Sequence, residues 1–302
     1  MATPQHIYVG DRVVAAADAK VSVFDAGFQS GDAVWEGLRV YGGVPLRLSQ
    51  HLDRLKHSAD ALRITLPGNR DHIAAALQAT LDANDLYDDA HVRLMVTRGS
   101  RSTSGMDPAN APAHGTLVII AEHKPVEAIP TPQRLRTASI RRPPPQVLDA
   151  SIHHANQLNS ILARLEVLDD PDVDAALMLD GGGYVAEADT ANVVALVDGA
   201  VRTPFPSACL HGITRGIVLD LAAEAGLAPA EAQLTLFDLY RADEVFVTGT
   251  VCELVPVVEI DRRTIGSGRP GPIWQDLLHR YRTLVRNETG GDAQSPADRF
   301  VT

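Results

Sequence analysis

A proline-containing stretch near the middle of the chain constrains the fold more than any other feature. Residues 124–134 read KPVEAIPTPQR, with three prolines and little periodicity, a pattern typical of a connection between domains. Runs that alternate between strand and helix patterns lie on both sides of it. We therefore expect an α+β chain with two domains, residues 1–123 and 135–286, and a disordered polar tail over residues 287–302.

The first of these domains begins with strand-like runs and continues into helices. Gly42-Gly43 separates two such runs and predicts a hairpin turn. Ser49 is a candidate N-cap for a helix with one apolar stripe, and a second helix is expected from about Asn69 to Asn84. The stripe of the first helix consists of Leu52, Leu55, Ala59 and Leu62.

The second domain has the same mixed character. LRTASIRR predicts a strand, ANQLNSILARLEVL an amphipathic helix, and residues 174–204 a series of strands with glycine turns. A helix that starts with GITRG should end at Gly226, because glycine commonly follows the last helical residue. A short helix in TLFDLYRAD and a strand in EVFVTGT complete the pattern.

Composition excludes several classes of function. The formal net charge of −11 argues against nucleic acid or an anionic membrane as the partner, since both require a basic surface. The N-terminal residues lack the pattern of a secretory signal, and the apolar runs are too short to span a bilayer, so we expect a cytoplasmic protein that handles a small molecule. Cys209 and Cys252 form no CxxC pattern and are interpreted as packing residues.

Familiar catalytic motifs are missing. GSGRPG at residues 266–271 fits a dinucleotide-binding pattern, but no βαβ unit surrounds it, and we interpret it as a turn. There is no GxSxG, GxxxxGK[ST] or HExxH motif, and no metal site is expected. The adjacent pair His153 and His154 is unsuited to one metal ion, because neighbouring residues of a strand or helix point in different directions.

Two short stretches suit an anion. LHGITRG places Ile213 and Thr214 at a helix N-terminus, where unpaired N–H groups and the helix dipole favour phosphate. VTGT places Gly249 and Thr250 at the end of a strand, where a hydroxyl and a backbone N–H lie side by side. Each is common in ordinary turns, but together with an arginine they form a candidate phosphate pocket.

Six ordered stretches carry a resemblance to a known family. They read FDAGFQSGDAVWEGLRVY, HLDRLKHSADAL, GYVAEADTANVV, CLHGITRG, YRADEVFVTGT and GPIWQDLLHRYR. In order and spacing they resemble the class IV, or fold type IV, pyridoxal-phosphate (PLP) enzymes, which include branched-chain aminotransferases, D-amino acid aminotransferases and aminodeoxychorismate lyase. Covering about residues 6–286, the resemblance implies the two-domain α+β fold of that family, PLP or its amine form, pyridoxamine phosphate (PMP), as cofactor, and a homodimer.

The resemblance also implies roles for individual residues. Arg54 corresponds to the arginine that binds the cofactor phosphate, and the backbone of Ile213, Thr214 and Thr250 completes that site. The chemistry agrees, because arginine offers phosphate a planar bidentate fork. Glu187 corresponds to the carboxylate that pairs with the pyridine nitrogen and keeps the ring protonated as an electron sink.

One departure from the family stands out. Relatives bind the cofactor covalently through a lysine three residues before an asparagine, and here Asn156 follows His153 at that spacing. The lysines of the chain are Lys20, Lys56 and Lys124; none falls in a matching motif, and only Lys124 would be considered as a stand-in. The resemblance therefore implies non-covalent binding of PLP or PMP. Gln157 replaces a tyrosine that some members use to contact the cofactor.

Histidine cannot replace the covalent bond, but it can replace the proton shuttle, since its ordinary pKa near 6.5 suits acid and base work at neutral pH. Three hypotheses follow: an aminotransferase-like enzyme acting on a small amino or keto acid with His153 as acid and base; a lyase, dehydratase or racemase using His153 or His154; and a non-catalytic protein that binds the cofactor.

Substrate carboxylate could meet Arg39 or Arg93, with backbone donors near Val251.

Overall fold

The computed structural model describes residues 5–290 and divides them into two compact units. The first unit comprises residues 5–126, 152–156 and 285–290, and the second comprises residues 127–151 and 157–284. Both units mix helices with sheet, which confirms the expected α+β class. Within the described residues, no helix is both long and apolar enough to cross a membrane.

The first unit is one antiparallel sheet covered on one face by two helices. Its sheet has the order β2-β1-β6-β5-β3-β4. The elements are β1 (His6–Val9), β2 (Arg12–Ala15), α1 (Ala26–Ser30), β3 (Ala33–Tyr41), β4 (Val44–Pro45), α2 (Leu48–Ala61), α3 (Arg70–Asn84), β5 (Ala90–Thr97) and β6 (Thr116–His123).

Alternation along the central strands decides which face is buried. Leu38 of β3 and Leu94 of β5 point to the same side, where they pack with Leu55 of α2 and Leu77 of α3 in a single apolar cluster. Burial of these side chains is the main stabilising contribution, at about 1.5–3 kcal/mol for each large apolar residue.

Local signals in this unit are mostly confirmed. Gly42 and Gly43 form the hairpin turn, both with positive φ angles that glycine adopts without steric cost. The second helix is confirmed as α3, and the Asn69 side chain caps it by accepting from the backbone N–H of His72. Ser49 as N-cap is wrong: α2 begins at Leu48, and the cap position is Arg47, in a left-handed conformation without a side-chain cap.

The second unit is built on a nine-stranded mixed sheet with the order β12-β11-β10-β13-β14-β7-β8-β9, and β15 pairs with β14. Its elements are β7 (Gln133–Arg141), α4 (Leu158–Leu165), β8 (Ala175–Leu179), β9 (Val185–Ala188), β10 (Asn192–Val197), β11 (Ala200–Pro204), α5 (Ile213–Glu224), β12 (Ala230–Ala232), α6 (Leu236–Tyr240), β13 (Glu244–Gly249), β14 (Glu253–Ile260), β15 (Arg263–Thr264) and α7 (Pro272–Thr289), whose last residues from Val285 belong to the first unit.

Strands β8, β9 and β10 are buried along their whole length, which explains their largely apolar sequence. Gly226 follows the C-cap of α5 with a positive φ angle, as predicted. The predicted tail is wrong at its start, because α7 continues through residues 287–289. Its remainder, residues 291–302, lies outside the described residues.

Residues 152–156 differ from their expected placement in the second domain. They run beside β3 of the first unit: His154 forms an isolated antiparallel bridge with Val34, and the Ala155 backbone N–H donates to the Ala33 carbonyl at 2.8 Å. This backbone pairing binds the segment that contains both histidines to the sheet of the first unit.

Candidate functional site

A buried carboxylate lies at the centre of the candidate site in the first unit. Glu36 of β3 is fully buried and faces α2. Arg54 of α2 holds it with two parallel hydrogen bonds, from Nε to Oε1 at 2.8 Å and from Nη2 to Oε2 at 2.7 Å. A bidentate fork of this kind fixes the positions of both side chains.

Two imidazole rings share the same carboxylate. His51, one helical turn before Arg54, places Nδ1 2.7 Å from Glu36 Oε2, and His153 places Nδ1 3.3 Å from Oε1. Burial by itself raises the pKa of Glu36, but hydrogen bonds from Arg54, His153 and His51 hold that pKa well below its ordinary value. Glu36 is therefore a carboxylate anion at neutral pH.

His153 is held on several sides. Its backbone N–H donates to the Ser58 hydroxyl at 3.0 Å, and its carbonyl accepts from the Trp35 backbone N–H at 3.0 Å. The Trp35 ring lies against the imidazole with 4.2 Å between ring centres, and Trp35 Nε1 donates to the His154 carbonyl at 3.1 Å. Burial lowers the pKa of His153, although Glu36 acts in the opposite direction.

The two arginines predicted to meet the substrate have different environments. The guanidinium carbon of Arg93 lies 4.1 Å from the centre of the Trp35 ring, a cation–π contact. Arg39 is buried and donates from Nη1 to the Lys124 carbonyl at 2.7 Å. Nearby, burial together with Lys124, Arg39 and Arg93 lowers the pKa of His91 to about 4. His91 is therefore neutral among cations at physiological pH.

Glu187 of β9 is the buried carboxylate of the second unit, and its environment is unlike that of Glu36. Arg142 Nε lies 3.0 Å from Glu187 Oε1, but its N–H is not aligned for a hydrogen bond. Oε2 accepts only long bonds of 3.3 Å from Asn192 Nδ2 and from the Leu210 backbone N–H. Burial raises the pKa of Glu187 to about 7, against the opposing effects of Arg142, the Leu210 N–H and Arg215.

The two predicted anion elements belong to this unit and lie close to Glu187. Helix α5 begins at Ile213 after Gly212, which provides no side-chain cap, and Thr214 in its first turn is buried. A side chain at position 212 would overlap the amide oxygen of Asn192, so glycine is required there. Asn192 also pairs in register with Thr248 of β13, next to Gly249. Asn192 thus links Glu187, the start of α5 and the end of β13.

The remaining predicted residues occupy loops of the second unit. Gln157 is the N-cap residue of α4 but makes no side-chain cap bond. Thr250 and Val251 form the turn between β13 and β14. Both follow directly after Gly249, the last residue of β13.

These residues fit the cofactor that the resemblance implies. Oriented N–H groups at the start of a twelve-residue helix suit a phosphate. Glu187 is buried with weak hydrogen bonds and would gain a strong one from a cationic ring N–H, which would also return its pKa toward the ordinary range.

Glu36 and His51 were missed from the sequence. The available signal was a carboxylate inside an otherwise apolar strand, together with a histidine three residues before Arg54 on one helix face. Neither residue by itself indicates that β3 and α2 pack against each other.

Glu187 should make stability depend on pH. Its pKa is about 7 in the folded chain against an ordinary 4.5, so between these values the folded chain retains a proton that the unfolded chain has released. The free energy of unfolding should fall as pH rises through this window, by at most about 3 kcal/mol, and level off above it. Denaturation in urea without added cofactor, at about pH 5 and about pH 8, measures this change.

The matched variant is Glu187→Gln, which keeps the shape of the side chain and removes its titration. As the pH is lowered, the wild type should gain unfolding free energy relative to the variant. An identical difference at both pH values would contradict the raised pKa.

Comparison with known proteins agrees with this arrangement. A family model described as amino-transferase class IV matches residues 33–260. Branched-chain-amino-acid aminotransferase-like protein 2 of Arabidopsis thaliana is 44% identical over 92% of this chain, which spans 50% of that relative's length. The branched-chain-amino-acid aminotransferase of Pseudomonas aeruginosa is 36% identical over 95% of both proteins.

A solved structure shows the same fold. The T.th. branched-chain amino acid aminotransferase with pyridoxamine 5'-phosphate superimposes with a TM-score of 0.88 at 31% identity, over 98% of each chain. This likeness confirms the fold type IV architecture expected from the sequence. The protein belongs to the class IV aminotransferase family.

Proposed function

We propose that this protein is an aminotransferase-like enzyme that binds PLP or PMP non-covalently and uses His153 as its acid and base, acting on a small amino or keto acid. The observation that carries the proposal is the contact between Glu36 Oε1 and His153 Nδ1. It gives an imidazole, at the position where the family carries lysine, the carboxylate partner that general bases use.

The cofactor, when bound, supplies an electron sink that stabilises negative charge at the substrate α-carbon. Glu36 holds the Nδ1–H of His153 and so fixes the ring tautomer, with Nε2 as the atom that takes up or delivers a proton. Ser58 and Trp35 hold the backbone of the same residue. Because burial lowers the pKa of His153, the neutral form that acts as a base dominates at neutral pH.

Arg54 would bind the cofactor phosphate. Its bidentate fork to Glu36 fixes the position of the guanidinium, a group that suits phosphate. In the second unit, the backbone of Ile213, Thr214 and Thr250 would donate to a phosphate, and Glu187 would accept from the pyridine nitrogen. The raised pKa of Glu187 supports this role, because a buried carboxylate favours a cationic partner.

The substrate carboxylate would be bound by Arg93, whose charge lies against Trp35 rather than against an acid among the described residues. Backbone groups near Val251 are a separate candidate in the second unit. Arg39 is the weaker candidate, since it is buried and donates to the Lys124 carbonyl.

The lyase, dehydratase or racemase alternative and the non-catalytic alternative stay open as hypotheses. Family membership favours aminotransfer over the former. The Glu36–His153 contact favours a catalytic protein over the latter, because cofactor storage alone would not need an acid and base pair. A cytoplasmic location also stays a prediction.

The first test asks whether the bond to the cofactor is covalent. Borohydride fixes a covalent imine to lysine permanently. With equimolar PLP, we expect the wild-type chain to show a bound-cofactor absorbance, no mass increase after borohydride, and release of cofactor on denaturation. His153→Lys should gain the mass of one reduced phosphopyridoxyl group.

Lys124→Arg is the control for a substitute lysine, since it keeps the charge and removes the amine. A wild-type adduct that disappears in Lys124→Arg would contradict non-covalent binding. The absence of any spectral change on adding PLP would remove the cofactor from the proposal.

The second test assigns the base. We expect His153→Ala to slow conversion of bound PLP to PMP by an amino donor about 100-fold or more, the usual contribution of a general base. His154→Ala is the neighbouring comparison and should leave this rate near the wild-type value. Stopped-flow absorbance gives both rates, and a larger loss in His154→Ala would transfer the role to His154.

We further propose that the protein is a homodimer, on the basis of one exposed helix face. Large apolar side chains project from α4 and the turn after it, each between about 40% and 60% exposed: Leu158, Ile161, Leu162, Leu165 and Leu168. A contiguous apolar stripe at helical spacing is typical of a surface that another chain covers.

Light scattering after size exclusion tests the dimer. Ile161→Glu with Leu165→Glu places two charges in the stripe and should convert a dimer to a monomer, because burying unpaired carboxylates is costly. Gln275→Glu adds a charge on the exposed side of α7 and should leave the dimer intact. A wild-type monomer would contradict this part of the proposal.

A further inference from the structure

One carboxylate in the first unit serves two groups with separate roles. Glu36 accepts four hydrogen bonds: two from Arg54, one from His51 and one from His153. The three bonds from α2 measure 2.7–2.8 Å, while the bond to His153 is the longest at 3.3 Å. The carboxylate therefore bonds mainly to α2, and its hydrogen bond to His153 can still shorten.

We propose that Glu36 is a positioning residue shared between the phosphate-binding arginine and the imidazole, so that a dianion bound at Arg54 strengthens the contact of Glu36 with His153 and favours a proton on that ring. This inference rests on the proposed function only for the placement of the anion at Arg54. It adds that occupancy of the phosphate site and protonation of the base are linked.

The physical reason is competition for one cation. When a dianion shares the guanidinium of Arg54, the positive charge that Glu36 experiences decreases, and its negative charge acts more fully on the remaining donors. His153 lies in a buried place where little water screens that charge. The binding of phosphate should thus raise the pKa of His153, and by reciprocity protonation of His153 should tighten phosphate binding.

Among the described residues, three groups act electrostatically on this ring. The groups that influence His153 electrostatically are Glu36 of β3 and Arg54 and His51 of α2. Its other contacts, the Ser58 hydroxyl and the Trp35 ring, carry no charge. A change at Arg54 therefore reaches His153 either through Glu36 or directly through space, and these two routes can be separated.

Sulfate is the probe, because it stays a dianion across the pH range in which histidine titrates. The full chain is freed of any copurified cofactor by dialysis. Its histidine resonances are followed by NMR in sodium sulfate and in sodium chloride of equal ionic strength, with the His153 signal identified by its loss in His153→Asn. The exposed His279 is the internal reference for general salt effects.

We expect sulfate to raise the pKa of His153 by about half a unit or more and to leave the His279 titration unchanged. Glu36→Gln keeps the shape of the side chain and removes the shared charge, so in that variant the rise should be lost. Glu36→Asp, which keeps the charge but shortens the side chain, should reduce the rise, and it serves if the amide variant does not fold.

Competition between sulfate and PLP, measured by absorbance, separates the possible failures. Sulfate that competes with PLP but leaves His153 unchanged would overturn the linkage and leave the proposed function intact. A rise that persists in Glu36→Gln would assign the effect to the direct field of the anion and overturn the role of Glu36. No binding of either sulfate or PLP would overturn the anion site and the proposed function together.

Discussion

The buried carboxylate of Glu36 is the interaction on which the candidate site of the first unit depends. Removing an ionised carboxylate from water costs several kcal/mol, and that cost is offset only when charged donors satisfy it closely. Arg54 supplies a bidentate fork and His51 a third short bond. These contacts join β3 to α2. The segment that carries His153 packs against the resulting carboxylate anion.

The second unit also contains a buried glutamate, but its pKa shifts in the opposite direction to that of Glu36. Glu187 receives one misaligned contact and two long hydrogen bonds, and its pKa rises to about 7, whereas the pKa of Glu36 falls. Two carboxylates of the same residue type thus differ in pKa because of their partners. Glu36 is fully satisfied by protein donors, which suits a structural anchor, while Glu187 is left short of donors, which suits a residue that receives a ligand.

The sequence predicted the parts of the fold that depend on local rules. The Gly42-Gly43 turn and the Gly226 helix end each follow from the conformations that glycine adopts, and both are confirmed. Ser49 failed because α2 starts at Leu48, two residues before the start that a Ser49 cap implies, and its cap residue Arg47 makes no side-chain cap bond. Family resemblance supplied the motif positions, but not the contacts among them. What a single sequence could not provide was pairing between distant segments: the backbone hydrogen bonds of residues 152–156 go to β3, more than a hundred residues earlier in the chain, and no local pattern encodes that.

The geometry also gives a chemical reason for a histidine, rather than a lysine, at position 153. A lysine has a single nitrogen, so the same atom must bond the cofactor, meet a neighbouring carboxylate and carry the proton. Imidazole has two nitrogens: here Nδ1 faces Glu36, and under the proposed function Nε2 exchanges the proton. Anchoring and proton transfer are thereby divided between two atoms of one ring. Under the proposed function no covalent bond holds the cofactor, so noncovalent contacts must supply its affinity.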